Sequence, residues 1–435
     1  MEISEKTSKK KSIAVVGAGI VGINCALALQ SQGFNVTLLD QQGIGEGCSK
    51  NNAGHFATEQ VFPLADARLL WQLPKLLLDP LGAIALSPRY LPQALPWFIQ
   101  FFNNMRSKYQ QKNTLALKAL NKNAISYYLP LLQQAKAEHL LTTQGSLLVF
   151  ETTNLTVVKK SHQHYQQAGV AVKLLNSEQV HQLEPNLHKN INYALYFTEV
   201  AHTVSPYKLS LALAQLAQDK GMVFKQFTLK NITHTANKVL LNDGQQALTF
   251  DKLILATGAW SKKLCKQLGY NLPIEAERGY SLSLTTQNND NNKSSGNENI
   301  ALLSRPVAST ERKFIITPMD NELRLSGTVE YAGLYAKANY KRATMLYKNA
   351  QFILDKLPTD KHIAKQDKWM GCRPSLPDSL PVICQAPQQD NIFFALGHQH
   401  LGLTQGAITG KLISQLIMKQ PTDIDIKAFC ISRFN

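Results

Sequence analysis

Apolar and polar positions alternate along the chain in blocks that predict strands followed by helices. An apolar run at 13–16 enters a glycine-rich turn, a helical stretch covers 23–30, and a second strand follows at 35–39. Strand–helix–strand units of this kind build parallel sheets. Further helices are predicted at 66–78, 93–107, 113–138, 154–168, 206–220, 340–356 and 402–418, and strands at 145–150, 170–175, 193–197, 222–228, 238–241, 248–251, 253–258, around 300–328 and at 392–396.

The turn after the first strand reads Gly17-Ala-Gly-Ile-Val-Gly22, which is the spacing of a dinucleotide-binding fingerprint. In such a turn Gly17 permits the tight bend, Gly19 lets the backbone approach a pyrophosphate, and Gly22 lets helix and strand pack closely. Asp40 ends the second strand, where a carboxylate accepts hydrogen bonds from a ribose hydroxyl. The chain is therefore predicted to bind NAD or FAD near its N-terminus.

Nucleotide-type segments recur at 253–258 and near the C-terminus, and 435 residues exceed one compact core. We therefore predict an α/β protein with a discontinuous Rossmann-like FAD- or NAD-binding domain and an α+β substrate domain built on a mixed sheet. The active site is expected where the two domains meet. The first domain is assigned to 1–84, 188–270 and 366–435, and the second to 85–187 and 271–365.

The formal net charge is +16, from 46 Lys and Arg against 30 Asp and Glu. This excess favours acidic small substrates, nucleic acid or an anionic membrane surface, and a solvated basic surface is the simpler alternative. The six cysteines show no Cys-x-x-Cys pair and no His-containing ligand spacing. We therefore expect no metal site, no disulfide framework and a cytoplasmic location, since no signal-peptide core precedes the first strand. A polar stretch at 288–299 is expected to form a surface loop.

Residues 69–102 are rich in Leu, Ile, Trp and Phe, and five prolines interrupt them. A membrane-spanning helix needs about 20 mostly apolar residues, so this segment is not expected to cross a bilayer. Two interpretations stay open. We favour short helices packed over the substrate site, and the alternative is an interfacial patch at 95–102 that rests on a bilayer.

Four further segments are rich in glycine and small polar residues: Cys48–Phe56, Leu255–Ser261, Trp369–Pro381 and Leu396–Gly406. In their order along the chain and in their residues they resemble the D-amino-acid oxidase superfamily of FAD-dependent oxidoreductases, and most of all its D-amino-acid dehydrogenase branch. The resemblance implies FAD, bound without a covalent link. It assigns the cofactor to Gly17, Gly19, Ile20, Val21, Gly22, Asp40, Gln41, Ser49, Asn51, Asn52, Ala53, Gly54, Gly258, Trp260, Gly397, Gly402, Leu403 and Thr404.

The same resemblance assigns Arg373, in the run Gly-x-Arg-Pro, to the carboxylate of an amino acid. A guanidinium suits this task because its fork engages both carboxylate oxygens. Tyr280 is expected at a wall of the substrate pocket. His55, which follows the flavin loop, and His398, which adjoins a glycine turn, are expected near the flavin. For these last three side chains a purely structural position is the open alternative.

The activity implied by the resemblance is oxidation of a D-amino acid. Hydride passes from Cα to flavin N5, and the imino acid hydrolyses to a 2-oxo acid and ammonia. Electrons are expected to go to a quinone or another carrier, with peripheral contact at the inner face of the cytoplasmic membrane and no nucleic-acid partner. Two alternatives are a glycine- or sarcosine-type flavin oxidase that uses oxygen, and a flavin-dependent tRNA-modifying protein.

Overall fold

A computed structural model describes residues 10–66, 82–286, 302–358 and 367–434 of the chain. In chain order its strands are β1 (Ser12–Val16), β2 (Asn35–Asp40), β3 (His55–Phe56), β4 (Ile84–Leu86), β5 (Leu141–Thr142), β6 (Ser146–Phe150), β7 (Val172–Asn176), β8 (Tyr193–Phe197), β9 (Ala201–Thr203), β10 (Val223–Gln226), β11 (Asn231–His234), β12 (Val239–Asn242), β13 (Ala247–Phe250), β14 (Lys252–Leu255), β15 (Glu275–Thr285), β16 (Val307–Ser309), β17 (Phe314–Met319), β18 (Glu322–Tyr331), β19 (Lys368–Ser375), β20 (Val382–Ala386) and β21 (Gln389–Leu396). Its helices are α1 (Ile20–Ser31), α2 (Leu91–Asn103), α3 (Ser107–Asn121), α4 (Ala124–Gln134), α5 (Leu155–Gln167), α6 (Ser177–Leu183), α7 (Pro206–Asp219), α8 (Ser261–Gln267), α9 (Lys341–Ala350) and α10 (Gly402–Met418).

The nucleotide-type segments form one sheet, with the strand order β10-β2-β1-β14-β21-β20. β1 pairs in parallel with β2 and β14, and β14 pairs in parallel with β21. Ile13 and Val15 of β1 belong to an apolar cluster with α1, α7 and α10, whereas Ala14 and Val16 belong to a second cluster with β11, β12 and β13. β20 adds an antiparallel edge strand. This doubly covered, mainly parallel sheet, assembled from distant parts of the chain, confirms the predicted α/β, Rossmann-like arrangement.

A second sheet runs in the order β19-β15-β18-β17-β16-β6-β8-β7, with β4 beside β18. β15 pairs antiparallel with both β18 and β19, whereas β16 pairs in parallel with β6. The sheet is therefore mixed, as predicted for the substrate part. β8 and β19 also belong to this sheet. The predicted division assigns both strands to the first domain, whereas their sheet is that of the second domain.

The predicted helix at 113–138 is two helices, α3 and α4, separated near residue 122. Asn121 ends α3, and its side chain is used elsewhere: Nδ2 donates to the Gln60 carbonyl and Oδ1 accepts from Gln405. The predicted loop at 288–299 and, apart from residue 66, the predicted helix at 66–78 lie outside the described residues.

Helix α2 lies in the apolar stretch, and one of its faces is packed against other described parts of the chain. Ala94 and Trp97 are buried, and the Trp97 indole lies close to Phe101 and Tyr331. The opposite face is apolar as well, with exposed side chains at Leu91, Leu95, Ile99 and Phe102. Among the helices of the described ranges, none combines the length and the apolarity that crossing a membrane requires.

Candidate active site

A cavity of about 440 Å³ runs from the end of β2 to the junction of β15 with β19. Arg373, Tyr280 and His398 border it, whereas His55 does not. The predicted cofactor residues that border it are Gly17, Gly19, Ile20, Val21, Asp40, Gln41, Ser49, Asn51, Asn52, Ala53, Gly258, Trp260, Gly397 and Gly402. The structure thus brings most of the predicted site residues to one cavity, and it leaves Gly22, Gly54, Leu403 and Thr404 behind the wall.

The turn between β1 and α1 has the geometry that the fingerprint predicts. Gly17 has a φ of 109°, a conformation that L side chains rarely adopt, and its N–H donates to the Leu39 carbonyl at 2.8 Å. A Cβ at Gly22 would overlap the carbonyl oxygen of Gly17. Gly22 therefore shapes the turn from behind, which explains its distance from the cavity.

Asp40 borders the cavity, and backbone N–H groups hold its carboxylate in place. Oδ2 accepts from the Ala18 N–H at 2.7 Å, and Oδ1 accepts from the Gln42 N–H at 2.8 Å. A carboxylate has about four lone-pair sites, so each oxygen can accept a further hydrogen bond. Asp40 thus fixes the glycine turn to β2 while it still offers acceptors to a ribose.

The loop at 48–54 is bonded to helix α1 of the first domain and to strand β15 of the second sheet. The Ser49 hydroxyl accepts from the Ile20 N–H in the first turn of α1 at 2.9 Å. The Asn51 carbonyl accepts from the Ser281 hydroxyl of β15 at 3.2 Å. Asn52 closes the loop, because its side chain donates to the Ser49 carbonyl at 3.1 Å. The loop is therefore held over the cavity from both sides.

Gly54, Leu403 and Thr404 support the cavity wall from behind. A Cβ at Gly54 would press against the side chain of Met319. The Leu403 carbonyl accepts from a buried tyrosine hydroxyl at 2.6 Å, and the Thr404 hydroxyl accepts from the Ala57 N–H at 2.9 Å. Their assignment to the cofactor stays a prediction.

The turn before α10 brings the N-terminus of that helix to the cavity. Gly397 and Gly402 both border the cavity, and the N–H of Gln399 donates to the Pro374 carbonyl at 3.2 Å. Helix N-termini carry unpaired N–H groups and the positive end of the helix dipole. His398 adds no charge there, because complete burial lowers its pKa to about 3; its Nε2 lies 3.0 Å from the Thr409 hydroxyl.

Arg373 lies on β19 at the other end of the cavity, directly opposite Glu277 of β15. Its Nη1 donates to Glu277 Oε1 at 3.0 Å and lies 3.5 Å from the Thr328 carbonyl oxygen. The guanidinium sits over Gly279, where any Cβ would overlap it. Within the described ranges, no acceptor is bonded to Nε or Nη2, and these two groups form the edge that is open for a ligand.

Tyr280 and His55 are already engaged by protein partners. The Tyr280 side chain is 1% exposed, and its hydroxyl donates to Glu330 at 2.6 Å. Burial and this carboxylate raise the pKa of Tyr280 to about 12. Because side chains alternate along a strand, Tyr280 lies on the opposite face of β15 from Glu277. His55 Nε2 lies 2.9 Å from Glu59 Oε1. Substrate roles for both residues stay predictions, and these bonds do not favour them.

Two residues near Arg373 are not among the predicted site residues: His400, which ranked below His398 as a candidate, and Glu277. His400 borders the cavity, and desolvation lowers its pKa to about 4 although the nearby Glu277 acts in the opposite direction. Glu277 is buried, with 3% exposure. The available signal was the alternation along β15, which places Glu277, Gly279 and Ser281 on one face.

A family model described as FAD dependent oxidoreductase (DAO) matches residues 12–416. The chain belongs to this family. The D-amino-acid oxidase of Bradyrhizobium diazoefficiens is 31% identical over 430 residues, which cover 98% of this chain and 99% of that protein. The D-amino acid dehydrogenase of Vibrio vulnificus is 27% identical over 417 residues, which cover 94% and 96%. The solved glycine oxidase from Geobacillus kaustophilus has a TM-score of 0.71 at 18% identity, covering 98% of this chain and 99% of that chain, which shows a shared fold.

As a member of the family, this FAD-dependent oxidoreductase has a cavity that fits its cofactor. The first turn of α1 offers N–H groups suited to a pyrophosphate, and the Asp40 carboxylate keeps free lone pairs for a ribose. The N-terminus of α10 faces the same cavity nearer to Arg373. Anion-binding groups at one end and a helix dipole at the other match the two halves of FAD.

Proposed function

We propose that the chain oxidises D-amino acids with FAD and passes the electrons to a quinone or another carrier. The observation that carries the proposal is the open edge of Arg373 at the end of the cavity away from Asp40. Two parallel donors on a guanidinium are suited to the carboxylate that every amino acid carries. The names of the oxidase and dehydrogenase relatives support the D configuration.

In the proposed reaction, the residues of the chain orient the substrate and keep its surroundings fixed. Nε and Nη2 of Arg373 bind the carboxylate, while Glu277 and Gly279 prevent the guanidinium from turning. Bound FAD supplies the acceptor for the hydride that leaves Cα. The positive end of α10 stabilises negative charge on that side of the cavity. Burial lowers the pKa of His398 to about 3 and that of His400 to about 4, so both side chains are neutral near pH 7.

The proposal is tested by mixing the FAD-loaded protein anaerobically with D- and L-amino acids, including proline and hydroxyproline, and recording flavin absorbance. We expect D-amino acids to bleach the flavin, with their L-enantiomers slower by at least about a hundredfold. If no amino acid bleaches the flavin, or if the L-forms do so equally well, the proposed function is wrong.

A second candidate, an oxygen-using oxidase, is favoured by the name of the Bradyrhizobium relative and by the glycine oxidase fold. The electron acceptor distinguishes the two. The dehydrogenase proposal expects rapid turnover with a quinone analogue and little hydrogen peroxide in air. Stoichiometric peroxide with fast aerobic turnover would select the oxidase, and glycine or sarcosine as the best substrate would select its glycine-oxidase form.

We also propose that α2 lies on the anionic inner face of the cytoplasmic membrane, where quinones are found. Its apolar stripe is exposed, and Lys262 and Lys266 line the cleft beside it. Apolar area combined with basic side chains is the composition of interfacial helices. We expect co-sedimentation with phosphatidylglycerol vesicles, weaker with phosphatidylcholine, and loss of binding in Ile99→Asn. Equal recovery of wild type and variant in the supernatant would contradict the proposal.

A further inference from the structure

Two cysteines that are distant in the sequence lie side by side near the C-terminal end of the chain. Cys384 is on β20, the edge strand of the first sheet, and Cys430 is in the segment that follows α10. Their thiol groups share a hydrogen bond, and the N–H of Ile431 donates to the Cys384 sulfur at 3.3 Å. All six cysteines lie in the described ranges as free thiols, so this pair is reduced.

The packing of its neighbours holds Cys430 next to Cys384. Phe429 and Ile431, on either side of Cys430, are both fully buried, and they belong to different apolar clusters. Cys384 is buried in the cluster that contains Ile431. Arg433 fastens the end of the segment, because its guanidinium donates to the Cys430 carbonyl at 3.0 Å and to a carboxylate before β20 at 2.6 Å. The fold therefore keeps the two sulfur atoms adjacent.

The two thiols differ in their acid–base properties. Cys430 is half-buried, and the hydrogen bond from Cys384 is the main cause that lowers its pKa to about 5, against the effect of burial. The Ser432 hydroxyl, 3.1 Å from the Cys430 sulfur, and the charge of Arg433 act in the same direction. The same bond between the thiols, together with burial, raises the pKa of Cys384 far above its ordinary value. A thiolate beside a thiol that keeps its proton is the arrangement of an attacking and a resolving cysteine.

The remaining cysteines are poorer targets for an oxidant. Peroxides react with the thiolate and only slowly with the thiol. Burial raises the pKa of the other four cysteines, which are Cys25, Cys48, Cys265 and Cys372. Oxidation is therefore expected to begin at Cys430.

We propose that Cys430 and Cys384 form a peroxide-sensitive site that closes reversibly to a disulfide. The Cys430 thiolate attacks one oxygen of hydrogen peroxide. The O–O bond breaks, a sulfenic acid forms on Cys430, and the released hydroxide takes a proton from solvent and leaves as water. The Cys384 thiol then attacks the sulfenic sulfur, so that the S–S bond forms while the S–O bond breaks, and the hydroxide leaves as water with the Cys384 proton. Two electrons pass from the two thiols to one peroxide, and the disulfide ties the C-terminal segment to β20.

The test is mass spectrometry on the FAD-loaded protein, which is reduced, freed of reductant and treated with a small molar excess of hydrogen peroxide. The remaining thiols are alkylated in denaturant, and the chain is digested without reductant. We expect a cross-linked pair of peptides that contain Cys384 and Cys430, with loss of two of the six free thiols and their recovery after dithiothreitol. If all six thiols survive, if another pair is cross-linked instead, or if Cys430 is oxidised without a bond to Cys384, the inference is overturned.

Three variants assign the roles of the two sulfur atoms. In Cys384→Ser we expect no cross-link and a sulfenic acid at Cys430, which dimedone traps as a stable adduct. In Cys430→Ser we expect Cys384 to survive the same dose of peroxide. The matched control is Cys25→Ala, since Cys25 is buried in the cluster on the other side of the first sheet, and we expect the wild-type yield of cross-link. Dimedone labelling of Cys384 in Cys430→Ser, or no labelling of Cys430 in Cys384→Ser, would contradict the proposed order of attack.

Discussion

The two ends of the cavity are built in different ways. At the Asp40 end, the glycine turn and Asp40 come from one contiguous segment that runs from β1 through α1 to β2, with β14 paired beside β1. At the Arg373 end, the guanidinium and its partner Glu277 are 96 positions apart and meet through the antiparallel register of β15 and β19. The first end is determined by local sequence and the second by tertiary pairing. Changes at the two ends are therefore expected to have different consequences, loss of FAD at one and altered substrate handling at the other.

The largest effect is expected from Gly22→Ala at the nucleotide end. The added methyl would overlap the Gly17 carbonyl oxygen and separate α1 from the strand, so the turn would lose its shape. We expect the protein to purify without FAD, as judged by flavin absorbance per chain. Gly43→Ala is the control, since its Cβ would meet only the Glu46 side chain, at 3.2 Å. Full FAD content in Gly22→Ala would show that the turn is not the determinant.

Arg373→Leu is expected to impair substrate binding at one end of the cavity without affecting FAD binding at the other. The variant removes both donors of the open edge and leaves Glu277 without its partner. Charge-assisted bonds of this kind contribute about 1.5–3 kcal/mol each. We therefore expect kcat/KM for a D-amino acid to fall by about 10² to 10³, while FAD content stays at the wild-type level. Unchanged affinity for the substrate would exclude Arg373 from carboxylate binding.

Gly279→Ala changes the same end without removing a charge. A Cβ would overlap the Arg373 guanidinium, which must then shift away from its present position. We expect KM to rise by about tenfold, in the range of the 1–3 kcal/mol cost of overpacking, while FAD is retained. The measurement is steady-state kinetics beside a flavin-to-protein ratio. Loss of FAD in this variant would mean that the two ends do not respond separately.

The smallest effect is expected between the two ends, in the turn before α10, where the His398 ring contacts the Thr409 hydroxyl. Burial holds its pKa at about 3, whereas an unfolded chain protonates it near 6.5. Between these values the unfolded state binds more protons, so the free energy of unfolding falls as pH falls, by about 1 kcal/mol for each pH unit. In His398→Gln we expect a weaker loss of stability between pH 7 and pH 5, measured by urea unfolding. An identical loss in both proteins would contradict the buried, neutral histidine.

The same contrast explains what the sequence could predict. The glycine turn, Asp40 and the loop at 48–54 carry short-range patterns, and they border the cavity as expected. Arg373 was found through its motif, but its pairing with Glu277 depends on strand register, which composition and periodicity do not reveal. Tyr280 borders the cavity as well, but its hydrogen bond to Glu330 of β18 depends on the pairing of distant strands, which the sequence pattern does not reveal.

We propose that this FAD-dependent oxidoreductase acts on D-amino acids whose carboxylate is bound at the Arg373 end of the cavity. This proposal is tested most directly by incubating the FAD-loaded enzyme with a racemic neutral amino acid and an artificial electron acceptor, followed by chiral chromatography. The account predicts that the D-enantiomer disappears with equal amounts of 2-oxo acid and ammonia formed, while the L-enantiomer is left intact. Consumption of both enantiomers, or of neither, would contradict it.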